Sequence, residues 1–411
     1  MFQTELLYMI SQNFSTPFSI FFQKGGIILQ ITGIICEYNP LHLGHQKQMR
    51  IIRQQLGADK GIVCLMSGNF VQRGHPAVFD KMTRAKAAIE CGADLVLELP
   101  LPAALSSAEG FAAGGVAILT KLCHQLCFGA ESENHDAFMA LAEALLSDAF
   151  PPLLHKHLEK GCSFPAARQA ALTELGLDGS LLQTPNNILA VEYCKAILAQ
   201  KASIKPLPIV RKGSYHDTCA DAEDPSATAI RQLMVAGEDW TAYIPEESQP
   251  MVANAPIHLL ETGENAILYR LRTMTEEEFE KLPYGSEGLW RKLMHACHEQ
   301  NSLEEIIAAT KSKRYTRTRI DRMILCAFLG LTAEDMLRPF PYCRVLAFNE
   351  RGRAILKQAN EDGFFVNIGT DTKHPYQEME RRATALYGLF ARSTEPPQVE
   401  KEYRVYYKKE Q

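Results

Sequence analysis

A chain of 411 residues, 46% hydrophobic and 22% charged, is long enough for two or three domains and has the make-up of an ordinary globular protein. Its formal net charge of -5 argues against indiscriminate nucleic-acid binding, although such a total can hide a local basic patch. Its eleven cysteines are scattered without any C-x-x-C, and Cys123 with Cys127 lacks the second pair that a zinc site needs. Reduced thiols and a cytoplasmic address are therefore expected.

Residues 1 to 30 are aromatic-rich and barely charged, but Gln, Asn and Lys interrupt them before the roughly 20 apolar residues of a membrane span are reached. They lack a basic n-region and a small-residue cleavage site. The expectation is an extension outside the fold, with a short membrane-associating tail as the alternative. The first strand starts at Ile31 and leads into "GIICEYNPLHLGHQKQMRII" (Gly33 to Ile52). Ile34 and Ile35 are β-branched, Asn39-Pro40 ends the strand, and Gln46 to Leu56 returns to helical spacing. His42 and His45 thus fall on the loop at the carboxyl end of a strand, beside a helix N-terminus. In an open α/β sheet ligands bind there, and the positive helix end seats anions.

"GIVCLMSG" is the next strand, followed by a helix over Lys81 to Cys91, the strand "ADLVLELP", a helix over Ala108 to Leu122 and the strand "QLCFGAE". Residues 137 to 175 are mainly helical, and "SIKPLPIV" returns as a strand. Strands alternating with helices predict βαβ units and a parallel sheet. Beyond Pro256 the pattern is largely helical, and the cluster Pro245, Pro250 and Pro256 marks the boundary. There is no internal repeat and no low-complexity tract.

His42, Gly44 and His45 form H-x-G-H, for which three readings stand. Two imidazoles could ligate a metal, but further ligands are not evident nearby. They could simply cap and turn the chain. Or both could donate to phosphate oxygens while Gly44 lets the backbone approach. Lys81 and Arg84 in "DKMTRAK" fit either an anion seat or an exposed helix face. In "SATAIRQL", Ser226 or Thr228 could cap a helix while Arg231 faces an anion or solvent. Glu37, Asp94 and Glu98 lie at strand ends where Mg²⁺ could sit, yet magnesium more often rides between phosphates, so no metal ligand is assigned. "KSKRYTRTRIDRM" (Lys311 to Met323) gathers six basic residues with Tyr315, which suits phosphate tracking with stacking, or a solvated helix face. Arg381, Arg382, Lys401, Arg404, Lys408 and Lys409 make the C-terminal region locally basic.

H-x-G-H after a first strand resembles the adenylyl-transferring superfamily that includes class I aminoacyl-tRNA synthetases. Taken in order, "EYNPLHLGH", "MSGNFVQRGHPAVFDKMTRAKAAIECGADLVLELP", "CFGAES", "TPNNILAVEY" and "SATAIR" are similar to the tRNA(Met) cytidine acetate ligase family. The resemblance is strong over Ile31 to Leu233 and weaker beyond; residues 1 to 30 have no counterpart. It implies an α/β fold: a Rossmann-like parallel-sheet nucleotidyltransferase domain over residues 31–250, then a mostly helical, tRNA-binding C-terminal domain over 251–411. The implied activity adenylates acetate with ATP, carried with Mg²⁺, and passes the acetyl group to N4 of the wobble cytidine of elongator tRNA(Met). Neither DNA nor a membrane is an implied partner.

The resemblance makes His42 and His45 the catalytic pair. Its nucleotide-binding segment covers Ile35, Cys36, Glu37, Tyr38, Asn39, Pro40 and Leu41, and runs on through His42, Leu43, Gly44, His45, Gln46, Lys47 and Gln48. Further nucleotide contacts fall on Gly129, Asn186 and Arg211, with Ser226 and Arg231 as a second anion seat. Lys313, Arg314, Arg317 and Arg319 are the implied tRNA contacts. One departure is Leu41, where family members usually carry Phe. Two other readings stand beside this one: an adenylyltransferase acting on a phosphorylated metabolite, and a nucleotide-gated RNA-binding protein without catalysis.

Overall fold

The computed structural model describes residues 30–57, 59–132, 134–210, 225–359 and 362–409. Residues 1–29, and with them nearly all of the expected extension, lie outside that range, as does Arg211.

Runs such as "ITGIIC" and "GIVCLMS" are apolar at nearly every position, the pattern of strands covered on both faces. They form β1 (Ile31–Cys36) and β2 (Gly61–Ser67), joined by helix α1 (Leu43–Leu56). Helix α2 (Lys81–Glu90) leads to β3 (Leu95–Leu99), and α3 (Ala108–Leu119) leads to β4 (Gln125–Ala130). Three helices over His135–Leu146, Phe150–Glu159 and Phe164–Glu174 follow, then α4 (Pro185–Ala199), β5 (Lys205–Val210) and α5 (Ala227–Ala236). β1 pairs in parallel with both β2 and β4, β2 with β3, and β4 with β5. One face packs under α3, α4 and the three helices through Val63, Leu97, Phe111, Phe128 and Phe138; the other packs under α1 and α2 through Ile34, Cys64, Met49 and Ile52.

The second part is mostly helical, as expected. Helices α6 (Leu260–Thr273), α7 (Leu289–Glu299), α8 (Leu303–Thr310), α9 (Arg317–Leu329) and α10 (Pro375–Tyr387) share a core built on Ile267, Leu271, Leu293, Ile306, Ile320 and Phe390. Burying each such side chain contributes roughly 1.5–3 kcal/mol. The sequence did not announce that this part also returns to the sheet. β6 (Cys343–Asn349) runs antiparallel to β3, and both β7 (Phe365–Asn367) and β8 (Tyr406–Lys408) pair in parallel with β6. The order is β8-β6-β3-β2-β1-β4-β5, with β7 also on β6, making eight strands. Among the described residues no single helix is long and apolar enough to cross a membrane.

Where β6 meets β3, five charged side chains are buried together. Lys81 Nζ lies 3.1 Å from Glu98 and 2.8 Å from Glu400. Arg344 reaches Glu98 at 2.9 Å, Glu380 at 3.3 Å and Glu400 at 2.6 Å. Two cations face three carboxylates, so one proton is needed for balance. Burial pushes the Glu380 carboxyl up to about 7 against the pull of Arg344. Burial opposes ionisation of Glu400 too, but Lys81 and Arg344 hold it well below the usual carboxylate range. The two linkages have opposite signs. The raised Glu380 stabilises the fold fully below its unfolded value near 4.5, and that contribution is lost as pH climbs through 7. The contribution of Glu400 is lost instead as pH falls below 4.5. Glu380→Gln should therefore flatten the decline in melting temperature between about pH 5 and 7.5 and leave the acid-side loss in place. Parallel pH profiles for the two proteins would refute this.

Candidate functional site

The strand order reverses between β1 and β4: the chain leaves β1 toward β2 on one side and comes back to β4 on the other. A crevice at the carboxyl ends of strands is expected at such a switch point. A cavity of about 1250 Å³ occupies it, lined by Ile35, Cys36 and Glu37 from β1 and its exit, by Gly129, and by Ile209 and Val210.

Of the two histidines expected on the loop, His42 ends it and His45 is already helical. Helix α1 begins at Leu43, so His42 is its N-cap and His45 sits in its first turn. His42 Nδ1 accepts from Gly44 N at 3.1 Å, and His45 Nδ1 accepts from His42 N at 3.3 Å, a reciprocal capping box. The rings stack at 3.7 Å. The capping reading holds, and it is compatible with the phosphate reading. Because each Nδ1 is an acceptor, each neutral ring carries its proton on Nε2. Two N–H donors are thereby oriented at the positive end of a helix, and both residues line the cavity.

The loop before them is braced on all sides. Tyr38 takes a left-handed backbone (φ 48°) and packs edge-on with His45, their ring centroids 4.9 Å apart. Asn39 Oδ1 accepts from Val78 N at 2.7 Å, and the Asn39-Pro40 bond is cis. Leu41 is buried among Met49, Ile52 and Met82, so the departure at this position is absorbed by apolar packing. Gln46 turns away to Glu247 at 2.8 Å, while Lys47 and Gln48 line the cavity. Ser226 caps α5 through Ala229 N at 3.1 Å. Arg231 reaches back to the Asn39 carbonyl at 2.7 Å and to Thr228 Oγ1 at 3.2 Å. The start of α5 is thus fastened to the loop before α1.

Gly129 is in β4, on the cavity wall. Asn186 opens α4, and its amide donates to Glu131 Oε1 at 2.7 Å. The other oxygen of Glu131 accepts from Thr184 Oγ1 and Asn187 N. Glu131 thus sets the orientation of Asn186, a role that sequence reasoning missed.

Both readings of Lys81 and Arg84 are corrected, because each is only 1% exposed. Lys81 belongs to the buried charge cluster. Arg84 donates to the carbonyls of Phe79, Glu37, Ser67 and Gly68, welding the exits of β1 and β2 to the start of α2. The candidate magnesium acids are engaged likewise. Asp94 holds Arg53 at 2.5 Å and Arg351 at 3.3 Å, Glu98 holds Lys81 and Arg344, and Glu37 accepts from Gln72 N at 2.7 Å. Among the described residues no group of three or more His, Cys, Asp or Glu is placed to hold a metal.

The basic run is helical only from Arg317 onward. Arg314 pairs with Glu287 at 3.1 Å, Arg317 forks onto Glu304 at 2.6 and 2.7 Å, and Arg319 donates to the Tyr284 carbonyl at 2.9 Å. Lys313 is exposed. Tyr315 is buried and donates to the Glu287 carbonyl at 2.6 Å, so it presents no face for stacking. The cavity is also lined by residues to which the sequence gave no individual role: Gln72, Arg73 and His75 on a short hairpin, and Thr316, Thr318 and Arg322 at the start of α9. Burial first, then Arg231, Arg317 and Arg73, push the His75 pKa down.

The HIGH Nucleotidyl Transferase family model matches residues 29–402. A tRNA(Met) cytidine acetate ligase of Clostridium perfringens is 38% identical over 386 residues, covering 88% of this chain and 95% of the relative. One from Anoxybacillus flavithermus is 33% identical over 380 residues, covering 87% and 94%. Crystal structures of Thermotoga maritima TmcAL superpose with TM-scores of 0.84 (apo) and 0.82 (bound with alpha-thio ATP), each 29% identical and covering 93% of this chain and 100% of the other.

Proposed function

Since the chain belongs to the HIGH nucleotidyl transferases and, within them, to the tRNA(Met) cytidine acetate ligase family, we propose that it activates acetate with ATP and acetylates N4 of the wobble cytidine of elongator tRNA(Met). The observation that carries this reading is one cavity with two walls. The two imidazoles line one part of it, the start of α9 with Arg322 lines another, and the whole encloses about 1250 Å³. Single small-ligand sites usually enclose about 300–1,000 Å³, so the space suits a nucleotide and a second, larger guest together.

In the first step an acetate oxygen attacks the α-phosphorus and pyrophosphate leaves. Negative charge grows on the phosphoryl oxygens, and the protein's task is to hold and stabilise it. The Nε2–H groups of His42 and His45, backed by the N-terminus of α1, are the donors for that charge. Gly129 and Asn186 flank the space for the nucleoside, and Arg231 and Ser226 flank the phosphates. Mg²⁺ belongs to this reading as part of the ATP substrate, since the nearby carboxylates are already engaged. In the second step the cytosine amine attacks the acetyl carbon, the bond to AMP oxygen breaks, and the amine loses a proton. Reaching a buried acyl-adenylate requires the base to leave its stack.

Purified protein incubated with ATP, labelled acetate and bacterial tRNA should yield labelled N4-acetylcytidine on nucleoside analysis. Pyrophosphate exchange should require acetate. Exchange supported instead by a phosphorylated metabolite would favour the adenylyltransferase alternative.

A further inference from the structure

Among the cationic side chains of the basic run, Arg322 stands apart. It is 8% exposed and lines the cavity. Its Nε has no hydrogen-bond partner, and no carboxylate lies within ion-pair distance among the described residues. It makes one long bond to the neutral Gln72 carbonyl, at 3.5 Å, and lies 5.2 Å from the Tyr284 ring. A guanidinium stays charged in proteins, and burying it without a counter-charge is strongly unfavourable. By contrast, Arg317 in the same helix has its own carboxylate partner.

The surroundings favour an anion there. Thr318 precedes Arg322 by one helical turn and lines the same wall. Thr316 is the N-cap of α9; its Oγ1 lies 3.5 Å from Thr318 Oγ1 and accepts from no first-turn backbone N–H, which leaves those N–H groups for another acceptor. Gly74, at φ +83°, lies so close that a Cβ would come within 2.6 Å of Arg322 N. That contact fixes Arg73 and His75 beside the helix. Acidic groups are near as well. Asp321 faces His75 at 3.8 Å and Arg317 at 3.7 Å, while Glu37 and Glu261 are on the cavity lining. None of the three pairs with Arg322.

We propose that Arg322 and Thr318, at the N-terminal end of α9, hold the RNA phosphodiester next to the acceptor cytidine and so set the depth to which its base enters the cavity. This rests on the acetylation reading above. In that reading the phosphates of ATP have their own donors at the starts of α1 and α5, whereas a flipped base carries a phosphate on either side of its sugar. A forked guanidinium beside helix N–H groups suits a phosphodiester.

Arg322→Met, Arg322→Lys and Thr318→Glu would each be assayed for acetate-dependent pyrophosphate exchange without RNA and for acetyl transfer to tRNA at several salt concentrations. Transfer efficiency should fall about tenfold to a hundredfold further than exchange, mainly through the KM for tRNA. In Arg322→Met the slope of log affinity against log salt should drop by about 0.7 to 0.9. Lysine should restore little of the loss, since a point charge cannot reproduce the fork. Thr318 is half-buried on the helix surface, so Thr318→Glu carries the test if Arg322→Met does not fold. Exchange falling in step with transfer would assign the site to ATP or to the fold and overturn the proposal. Unchanged transfer and salt slope in Thr318→Glu and the folded Arg322 variants would also overturn it. Wild-type protein that supports exchange but acetylates no RNA would instead defeat the parent reading, before any variant is compared.

Discussion

Alanine at position 45 is expected to cut acetate-dependent ATP–pyrophosphate exchange by about a hundredfold to a thousandfold. His45 has two tasks in one ring. In the proposed reaction its Nε2 donates to the phosphoryl oxygens, and its Nδ1 accepts from the backbone N–H of His42. Removing it deletes one donor and loosens the neighbour stacked 3.7 Å away. His42→Ala should cost a similar factor, because His42 in turn caps the first turn through Gly44 N. Each variant also loses part of a capping box, worth about 0.5–2 kcal/mol of stability, so melting temperatures should shift only modestly. Exchange at the wild-type rate under saturating ATP, in either variant, would remove the histidines from the chemistry.

The second large effect concerns stability. Arg344→Met should destabilise the protein by about 3–5 kcal/mol, the usual cost of taking one partner from a buried ion cluster. The melting temperature should then fall by roughly four to six degrees. Arg344 is the common partner of Glu98, Glu380 and Glu400, so its loss leaves three buried carboxylates with Lys81 alone. Combining Arg344→Met with Glu380→Gln should recover part of the loss, because one of those acids becomes neutral. A single variant melting within two degrees or so of wild type would mean that the cluster contributes little to the fold.

Local pattern carried much of this architecture. The apolar runs of β1 to β5, the break at Asn39-Pro40 and the helical spacing after it could be read in order, and the strand-end histidines followed from them. Ser226 as a cap was legible for the same reason: a hydroxyl ahead of an apolar helical stretch is a short-range signal. What escaped the reading depended on partners far along the chain. "DKMTRAK" looks like a solvated turn of helix, yet Lys81 is neutralised by Glu400 and Arg84 by backbone carbonyls at other strand ends. The basic run suggested open charges, but Glu287 and Glu304 were already spoken for by Arg314 and Arg317. "CRVLAFN" is short and lies within a helical stretch, and its place beside β3 is set by tertiary pairing. Periodicity has no access to such distances.

The late return of the chain to its first sheet has a consequence for biosynthesis. β3 ends at Leu99, and the strand that covers its edge starts only at Cys343. While the ribosome makes the residues in between, that edge offers unpaired peptide groups to any passing strand. A message cut short after the helical layer would therefore yield an adhesive fragment, and a chaperone or protease would meet it before any substrate did.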